Sequence, residues 1–209
     1  ASPPDQQLEW SDSGVEGSYR FLRRVWGCAW NYASAHAGPA PALPASLPDE
    51  LAAARREIHL HLRQANHDMA RLQFNTVASA TMKMLNALER LPGEGGARTA
   101  VWAEGLSILL RVLAPIAPHL THAAWAGCGF GGDLLDSPWP KPAEDALQQD
   151  EVELMMQVNG KLRGSIKVPA DATREAIEAL ALASDVAQRH LEGKAPKKIV
   201  VVPGRLVNI

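Results

Sequence analysis

Five histidines occur at spacings that raise the question of metal binding. His119 and His122 are three residues apart in a predicted helix, so their rings lie close enough to share one metal ion. The sequence offers no third ligand nearby, whereas a structural zinc site needs four. His59, His61 and His67 fall on different faces of another predicted helix. We therefore interpret the first two as structural or capping residues and the other three as solvated.

Nucleophile and phosphate-binding motifs are the next candidates for chemistry. The two cysteines, Cys28 and Cys128, lie far apart and outside any C-x-x-C pair, which is typical of reduced, buried thiols. The sequence contains no G-x-x-x-x-G-K-[ST], G-x-G-x-x-G or G-x-S-x-G motif. The residues give no positive case for catalysis, and we expect no catalytic residue, cofactor or metal in this chain.

Cations flank two predicted turns in the last sixty residues. The first turn, Asn159-Gly160, is followed by Lys161 and Arg163. The cations around the second turn, Pro203-Gly204, are Lys197, Lys198 and Arg205. Because both turns belong to one small predicted sheet, these cations are able to lie on one side of it and contact phosphates. An ordinary solvated surface is the alternative, and the residues alone leave both interpretations open.

Arginines also recur along the predicted helices in the first third of the chain. They are Arg20, Arg23, Arg24, Arg55, Arg56, Arg63 and Arg71. Any single one is best interpreted as part of a solvated helix face, laced with acidic residues such as Glu57 and Asp68. As a group on the first two helices they are able to line a phosphate backbone.

Composition narrows the class of protein. The chain has 209 residues, 46% of them hydrophobic, and a net charge of −2. The net charge therefore does not indicate nucleic-acid binding. The charge is uneven, with −4 in residues 1–150 and +2 in residues 151–209. We expect no membrane span, because no apolar run approaches eighteen residues. The first residues lack an initiator Met and a signal peptide, and we expect a fragment of a longer polypeptide.

Hydrophobic periodicity predicts the elements that position these residues. Five helices are expected over about 12–36, 47–72, 76–91, 98–113 and 119–126. In the first helix an apolar stripe at three-to-four spacing is expected to be buried. It comprises Val15, Tyr19, Leu22, then Val25 or Trp26, and Ala29 or Trp30. A long Gly- and Pro-rich connection, Cys128–Asp150, follows the fifth helix.

The last sixty residues predict two hairpins around helices. Val152–Val158 leads through Asn159-Gly160 into Lys161–Val168, and Asn-Gly is typical of a type I′ turn. The second hairpin pairs Ile199–Val202 with Arg205–Ile209. Helices are predicted between the hairpins over 173–183 and 185–191.

These elements predict an α+β chain, with an all-α helix bundle followed by a small α+β domain of two β-hairpins and two helices. We expect the bundle and its trailing loop in residues 1–144 and the small domain in residues 152–209. The acidic stretch Asp145–Asp150 predicts a linker over 145–151.

Several motifs resemble one family, in order and over essentially the whole chain. The opening, from Ala1-Ser2-Pro3-Pro4 through Leu8-Glu9-Trp10-Ser11 to Val25-Trp26, resembles the segment after the catalytic signature loop of bacterial leucyl-tRNA synthetases. The motifs Phe74-Asn75-Thr76 and Ala114–His119 resemble the helical anticodon-binding domain of the class I synthetases for aliphatic amino acids. The segments 158–163 and 202–208 resemble the terminal domain of the leucyl enzyme.

The resemblance implies a cytoplasmic, C-terminal fragment of an enzyme that joins leucine to tRNA. The ATP- and leucine-binding signatures and the editing domain of the family are outside this chain. Its partners are then leucine tRNA and the upstream catalytic and editing domains, with no membrane. In this family the bundle rests against the inner side of the tRNA, and the terminal domain touches its outer corner.

The resemblance also selects candidate tRNA contacts. The favoured residues are Asn159, Lys161, Arg163, Lys197, Lys198 and Arg205. Weaker candidates on the bundle are Arg20, Arg23, Arg24 and Arg63. Two alternatives stay open: a helical scaffold whose tail sheet docks a protein without contacting nucleic acid, and an independent enzyme with an unrecognised site.

Overall fold

The computed structural model describes residues 6–7, 9–36, 38–148, 151–170, 172–191, 196, 199–202 and 204–209. These residues form two compact units, a helical unit up to Leu147 and a tail unit from Gln148 onwards. Helices followed by a small sheet confirm the predicted α+β class. The predicted linker, 145–151, overlaps the last residues of the helical unit and the first residue of a strand.

Helix α1, Asp12–Ala35, begins where the sequence predicts, because the Ser11 side chain accepts a hydrogen bond from the Gly14 N–H at 3.2 Å. Its buried face differs from the predicted stripe. The buried residues are Phe21, Val25, Cys28, Ala29 and Tyr32, whereas Val15, Tyr19, Trp26 and Trp30 are exposed. The prediction was wrong for Val15 and Tyr19, and of its two pairs of alternatives the buried members are Val25 and Ala29. The reason is that α1 is apolar on two faces, and periodicity does not reveal which face the bundle covers.

The other bundle helices are α2 (Asp49–Ala70), α3 (Phe74–Glu89), α4 (Gly96–Leu113) and α5 (Pro118–Gly127). Helix α4 is central, since 11 of its 18 residues are buried. Cys28 and Cys128 are free and buried in this core, as predicted. Burial raises the pKa of the Cys128 thiol to about 11, so it stays protonated and unreactive at neutral pH.

The connection after α5 folds onto the bundle. It contains a short 3-10 helix, Leu134–Asp136, and ends in the one-turn helix α6, Glu144–Leu147. We call residues 137–147 the strap. Its polar contacts follow α2 from one end towards the other: the Trp139 indole donates to Asn66, and the Ala143 N–H donates to His59 Nδ1 at 3.1 Å. The strap is therefore part of the helical unit.

The tail unit contains strands β1 (Glu151–Val158), β2 (Lys161–Pro169), β3 (Val200–Val202) and β4 (Leu206–Asn208), with helices α7 (Arg174–Ala183) and α8 (Asp185–Leu191). The two predicted hairpins are present, β1 with β2 and β3 with β4. The sheet order is β2-β1-β4-β3, and β4 pairs with β1 in parallel.

Helices α7 and α8 cover one face of this sheet. The core between the layers holds Leu154, Met156, Val168, Ile177, Ala181, Ala187, Val207 and Ile209. Helix α8 packs closely at Gly164, where an added Cβ would lie 2.9 Å from a methyl carbon of Val186. Within the described residues of the tail unit, no element covers the opposite face of the sheet, and we call it the open face. No helix in the described ranges is long and apolar enough to cross a membrane.

Candidate nucleic-acid interface

The β1–β2 turn has the backbone conformation that its sequence predicts. Asn159 and Gly160 both have positive φ, +54° and +74°, as a type I′ turn requires. The end of strand β4 holds this turn in place. The Asn159 N–H donates to the Ile209 carbonyl at 2.8 Å, and the Gly160 N–H donates to the Asn208 side-chain oxygen at 3.1 Å. The turn that carries Lys161 is therefore fixed by the end of β4.

A β-bulge next to this turn changes which side of the sheet each residue faces. Met156 pairs with Gly164, but Gln157 pairs with Leu162, so Arg163 has no partner across the ladder. Side chains of directly paired residues share a face. Leu162 therefore lies on the open face with Gln157 and is 61% exposed. Sequence alternation alone would have placed it on the helix side.

Lys161 is affected by the same bulge. It pairs with Val158, whose side chain is buried on the helix side, so the stem of Lys161 leaves the sheet on that side. Lys161 and Arg163 are both exposed. Among the ion pairs of the described residues, none involves either side chain. Their charges face solvent and are available to an anionic ligand.

The second basic turn lies at the other end of the sheet. The Arg205 N–H donates to the Val202 carbonyl and closes the β3–β4 hairpin at 3.1 Å, and the Arg205 carbonyl accepts from the Met155 N–H, also at 3.1 Å. Because β4 runs parallel to β1, Arg205 lies beside Met155 in the middle of β1, whereas Asn159 follows the end of β1. Four strand positions separate them, about 13 Å. Lys197 and Lys198 lie outside the described residues.

The open face is a surface that the sequence reasoning missed. Its exposed apolar side chains are Met155, Leu162, Val200 and Val202. Lys167 pairs with Glu153 along the rim of this face. The sequence contains a sign of this surface, since all three residues of β3 are valines and apolar residues occupy both faces of β1. An exposed apolar face of this kind suits contacts to ribose and bases.

The weaker candidates on the bundle differ from the tail cations in their pairing. Arg20 lies 3.6 Å from Glu16 in an exposed i, i+4 pair. The Arg24 guanidinium donates to both carboxylate oxygens of Glu89, and this hydrogen bonding raises its pKa. Arg23 lies over the Tyr19 ring, with its guanidinium carbon 5.9 Å from the ring centre. Most of this positive charge is therefore already engaged.

Arg63 is the exception among the weaker candidates. It is exposed on α2, and no ion pair of the described residues includes it. Arg23 also has no carboxylate partner among these ion pairs, but its guanidinium lies over the Tyr19 ring, so Arg63 offers the more available charge.

A buried polar cluster replaces the solvated face expected for α2. Arg55 is 9% exposed and His59 is 2% exposed, so both predictions of a solvated position were wrong. Arg55 donates from Nε to Glu104 Oε2 at 2.7 Å and from Nη1 to Asp145 Oδ2 at 2.7 Å. The strap and α4 cover this face of α2, and neither contact is visible in local sequence. The missed sign was polar residues at core spacing, since Arg55 and His59 lie one turn apart in line with Leu51.

Electrostatics inside the cluster keep it ionised. Burial would raise the pKa of Glu104, but the neighbouring His59 and the hydrogen bonds from Arg55 outweigh it and the pKa is lowered. The hydrogen bond from Arg55 lowers the pKa of Asp145 as well. His59 accepts the Ala143 N–H on Nδ1, so its proton is on Nε2, which lies 3.2 Å from Glu104. The cluster attaches the strap to the bundle and is not a free anion site.

The histidine pair on α5 lines a shallow groove with Leu134 and Leu135. His122 Nε2 lies 3.1 Å from Asp133 Oδ1. In the part of the chain that the structure describes, no three His, Cys, Asp or Glu side chains are grouped closely enough to hold a metal ion. His122 of α5 and Asp133 of the connection that follows therefore form an exposed pair.

Residues 52–179 match the family described as the anticodon-binding domain of tRNA ligase. The matched range covers most of the helical unit and continues through the β1–β2 hairpin into α7. The match therefore crosses the boundary between the two units.

Curated relatives agree with this family. Over 214 residues the chain is 62% identical to a leucine–tRNA ligase of Azoarcus sp. (strain BH72), covering 100% of this chain and 24% of the relative. It is 61% identical to the leucine–tRNA ligase of Aromatoleum aromaticum over 217 residues, with the same coverage. The chain thus spans about a quarter of the length of these relatives.

A similar solved structure is the ternary complex of Agrobacterium radiobacter K84 agnB2 LeuRS with tRNA and LeuAMS. The TM-score is 0.75 at 27% sequence identity. The alignment covers 96% of this chain and 26% of that one, so the likeness includes both units.

Proposed function

This chain belongs to the family of anticodon-binding domains of tRNA ligases, and from that premise we propose that it is the tRNA-binding and tRNA-positioning portion of a leucine–tRNA ligase. The parent enzyme would join leucine to leucine tRNA with ATP in the cytoplasm, using residues outside this chain. The single observation that carries the proposal is that two cations of the tail unit form no ion pair among the described residues. The exposed Lys161 and Arg163 stand without carboxylate partners among the described residues, on a hairpin fixed by β4.

The proposed contribution to catalysis is orientation. Uncompensated cations on a rigid sheet attract phosphates and release counterions, which favours binding without reading sequence. Apolar side chains of the open face add contacts to ribose or bases. Such binding is equally strong before and during the chemical step and does not stabilise the transition state selectively. Its contribution is to hold the tRNA where its 3′ end reaches the reacting groups.

The test is equilibrium binding of the chain to leucine tRNA and to a non-cognate tRNA at two salt concentrations. We expect binding that weakens steeply with salt, and a further loss of roughly tenfold for the Lys161→Ala/Arg163→Ala double variant. The matched control is Arg20→Ala, because Arg20 is equally exposed but paired with Glu16. It should bind within about twofold of the parent.

Two results would contradict the proposal. Binding that does not change with salt would favour the protein-docking scaffold, since an apolar contact releases no counterions. Equal losses for the double variant and the control would mean that the tail hairpin is not the contact. The independent-enzyme alternative is tested in the same samples, because it requires aminoacylation by the chain alone when ATP and leucine are added.

A further inference from the structure

Helix α1 carries a second apolar face that the helical unit does not use. We call Val15, Tyr19, Trp26 and Trp30 the outer stripe; they are 46%, 62%, 44% and 64% exposed. At 3.6 residues per turn these four positions fall within about 60° of the helix circumference. The face buried in the bundle, centred on Val25, lies about a third of a turn away. The outer stripe therefore follows one side of α1, with Arg23 between Tyr19 and Trp26.

A groove continues the outer stripe towards α5. It has a volume of about 130 Å³ and lies between Trp26 and Trp30 on one side and Ala123 and Gly127 on the other. All the other lining residues are alanines. Apolar cavities of about this size hold one benzene-sized group. The groove therefore has the size and chemistry to receive one apolar side chain.

The charges beside the outer stripe argue against nucleic acid as its occupant. Arg20 is paired with Glu16, and Arg24 with Glu89, while Arg23 lies over Tyr19. A phosphate-binding surface needs uncompensated positive charge. Two of these three arginines are held in ion pairs, so this face offers a phosphate less of it than the tail hairpin does. Trp and Tyr beside small residues are instead typical of the centre of a protein–protein contact.

We propose that the outer stripe and its groove dock an apolar segment of the ligase polypeptide that lies outside this chain. The inference rests on the proposed function, in which the chain is part of a longer enzyme. Its relatives are about four times as long as this chain, so a large part of the same polypeptide is available as occupant. An apolar row of this kind rarely stays bare on a soluble domain.

Hydroxyl-radical footprinting of the full-length ligase without tRNA, beside the 209-residue chain, tests the proposal. Oxidation of Trp26 and Trp30 should fall at least fivefold in the full-length protein. Leu135, which is 78% exposed and lies outside the stripe, is the control and should react equally in both samples. A second measurement compares full-length Trp30→Lys with Leu135→Lys by hydrogen exchange. The first variant should speed exchange in α1 and α5, and the control should not.

Three outcomes would overturn the proposal. Equal oxidation of the tryptophans in both samples would mean that the rest of the polypeptide does not cover them. Protection that arises only after tRNA is added to the full-length ligase would assign the face to nucleic acid. Protection of the 209-residue chain that grows with its concentration would assign it to a second copy. None of these bears on salt-dependent tRNA binding by the tail hairpin, so the two proposals fail separately.

Discussion

The two units use positive charge in opposite ways. In the helical unit Arg24 is bound to Glu89, and Arg55 is held between Glu104 and Asp145. In the tail unit Lys161 and Arg163 are exposed without a carboxylate partner among the described residues. The candidate cations are similar in number, four on the bundle and five in the tail. Pairing separates the two groups, because a compensated cation has little left to offer a phosphate.

The largest effect should come from removing an arginine of the helical unit that forms buried ion pairs. Arg55→Ala leaves Glu104 partly buried without its guanidinium partner, and we expect the helical unit to lose about 3 kcal/mol of stability. Urea unfolding followed by tryptophan fluorescence measures the loss. Arg63→Ala, an exposed control on the same helix, should change stability by less than about 0.5 kcal/mol. A loss below 1 kcal/mol for Arg55→Ala would show that the cluster is not structural.

Acid should weaken the same cluster without a mutation. The folded-state pKa of Glu104 is lowered, so its contribution to stability is complete above its unfolded pKa, about 4.3, and is lost as pH falls through the folded value. We expect the urea midpoint of the helical unit to drop between pH 5 and pH 3. Glu104→Gln removes this titration, and its midpoint should depend less on pH than that of the parent. Identical slopes for the two proteins would exclude Glu104 as the cause.

In the tail unit the backbone of the turn, not ion pairing, should carry the stability effect. Gly160 has φ of +74°, where a side chain adds strain. Gly160→Ala should therefore destabilise the tail unit by about 1 kcal/mol. Hydrogen exchange of the β1 and β2 amides measures this change. Gly127→Ala is the control, because Gly127 does not have a positive φ and an added Cβ there meets nothing within 4 Å. Slower exchange in the Gly160 variant would contradict the turn assignment.

The smallest effect is expected at the exposed pair on α1. Arg20 and Glu16 are both largely exposed and 3.6 Å apart, so Arg20→Ala should cost less than about 0.5 kcal/mol of stability. Thermal unfolding of the helical unit measures it. A large shift in Tm would mean that Arg20 has a partner outside the pair, and the contrast between engaged and available cations would need revision.

Local sequence predicted the helices and strands better than it predicted which of their residues are buried. The Asn159-Gly160 turn follows from two residues whose φ values only a few side chains tolerate. The buried face of α1 could not be read, because both apolar faces give the same helical periodicity. Burial of Arg55 and His59 depends on the strap, which reaches α2 from about eighty residues further along the chain. Contacts of that range leave no local pattern.

The geometry of the candidate site was also beyond local sequence. That both hairpins carry cations is legible from the residues. Their placement at opposite ends of the sheet comes from parallel pairing of β4 with β1, and the changed facing of Leu162 comes from a bulge. The role of Lys161, Arg163 and Arg205 in binding tRNA stays a prediction.

The position of β4 has a consequence for biosynthesis. The sheet order places β4, the last of these four strands in chain order, between β1 and β3. Until Leu206–Asn208 have been translated, the β1 edge of the β1–β2 hairpin lacks its partner strand, and the turn at Asn159 lacks the hydrogen bonds that hold it in place. An unpaired edge invites pairing with another chain. Termination of translation before β4 would therefore release a nascent chain prone to aggregation, with an unfinished sheet.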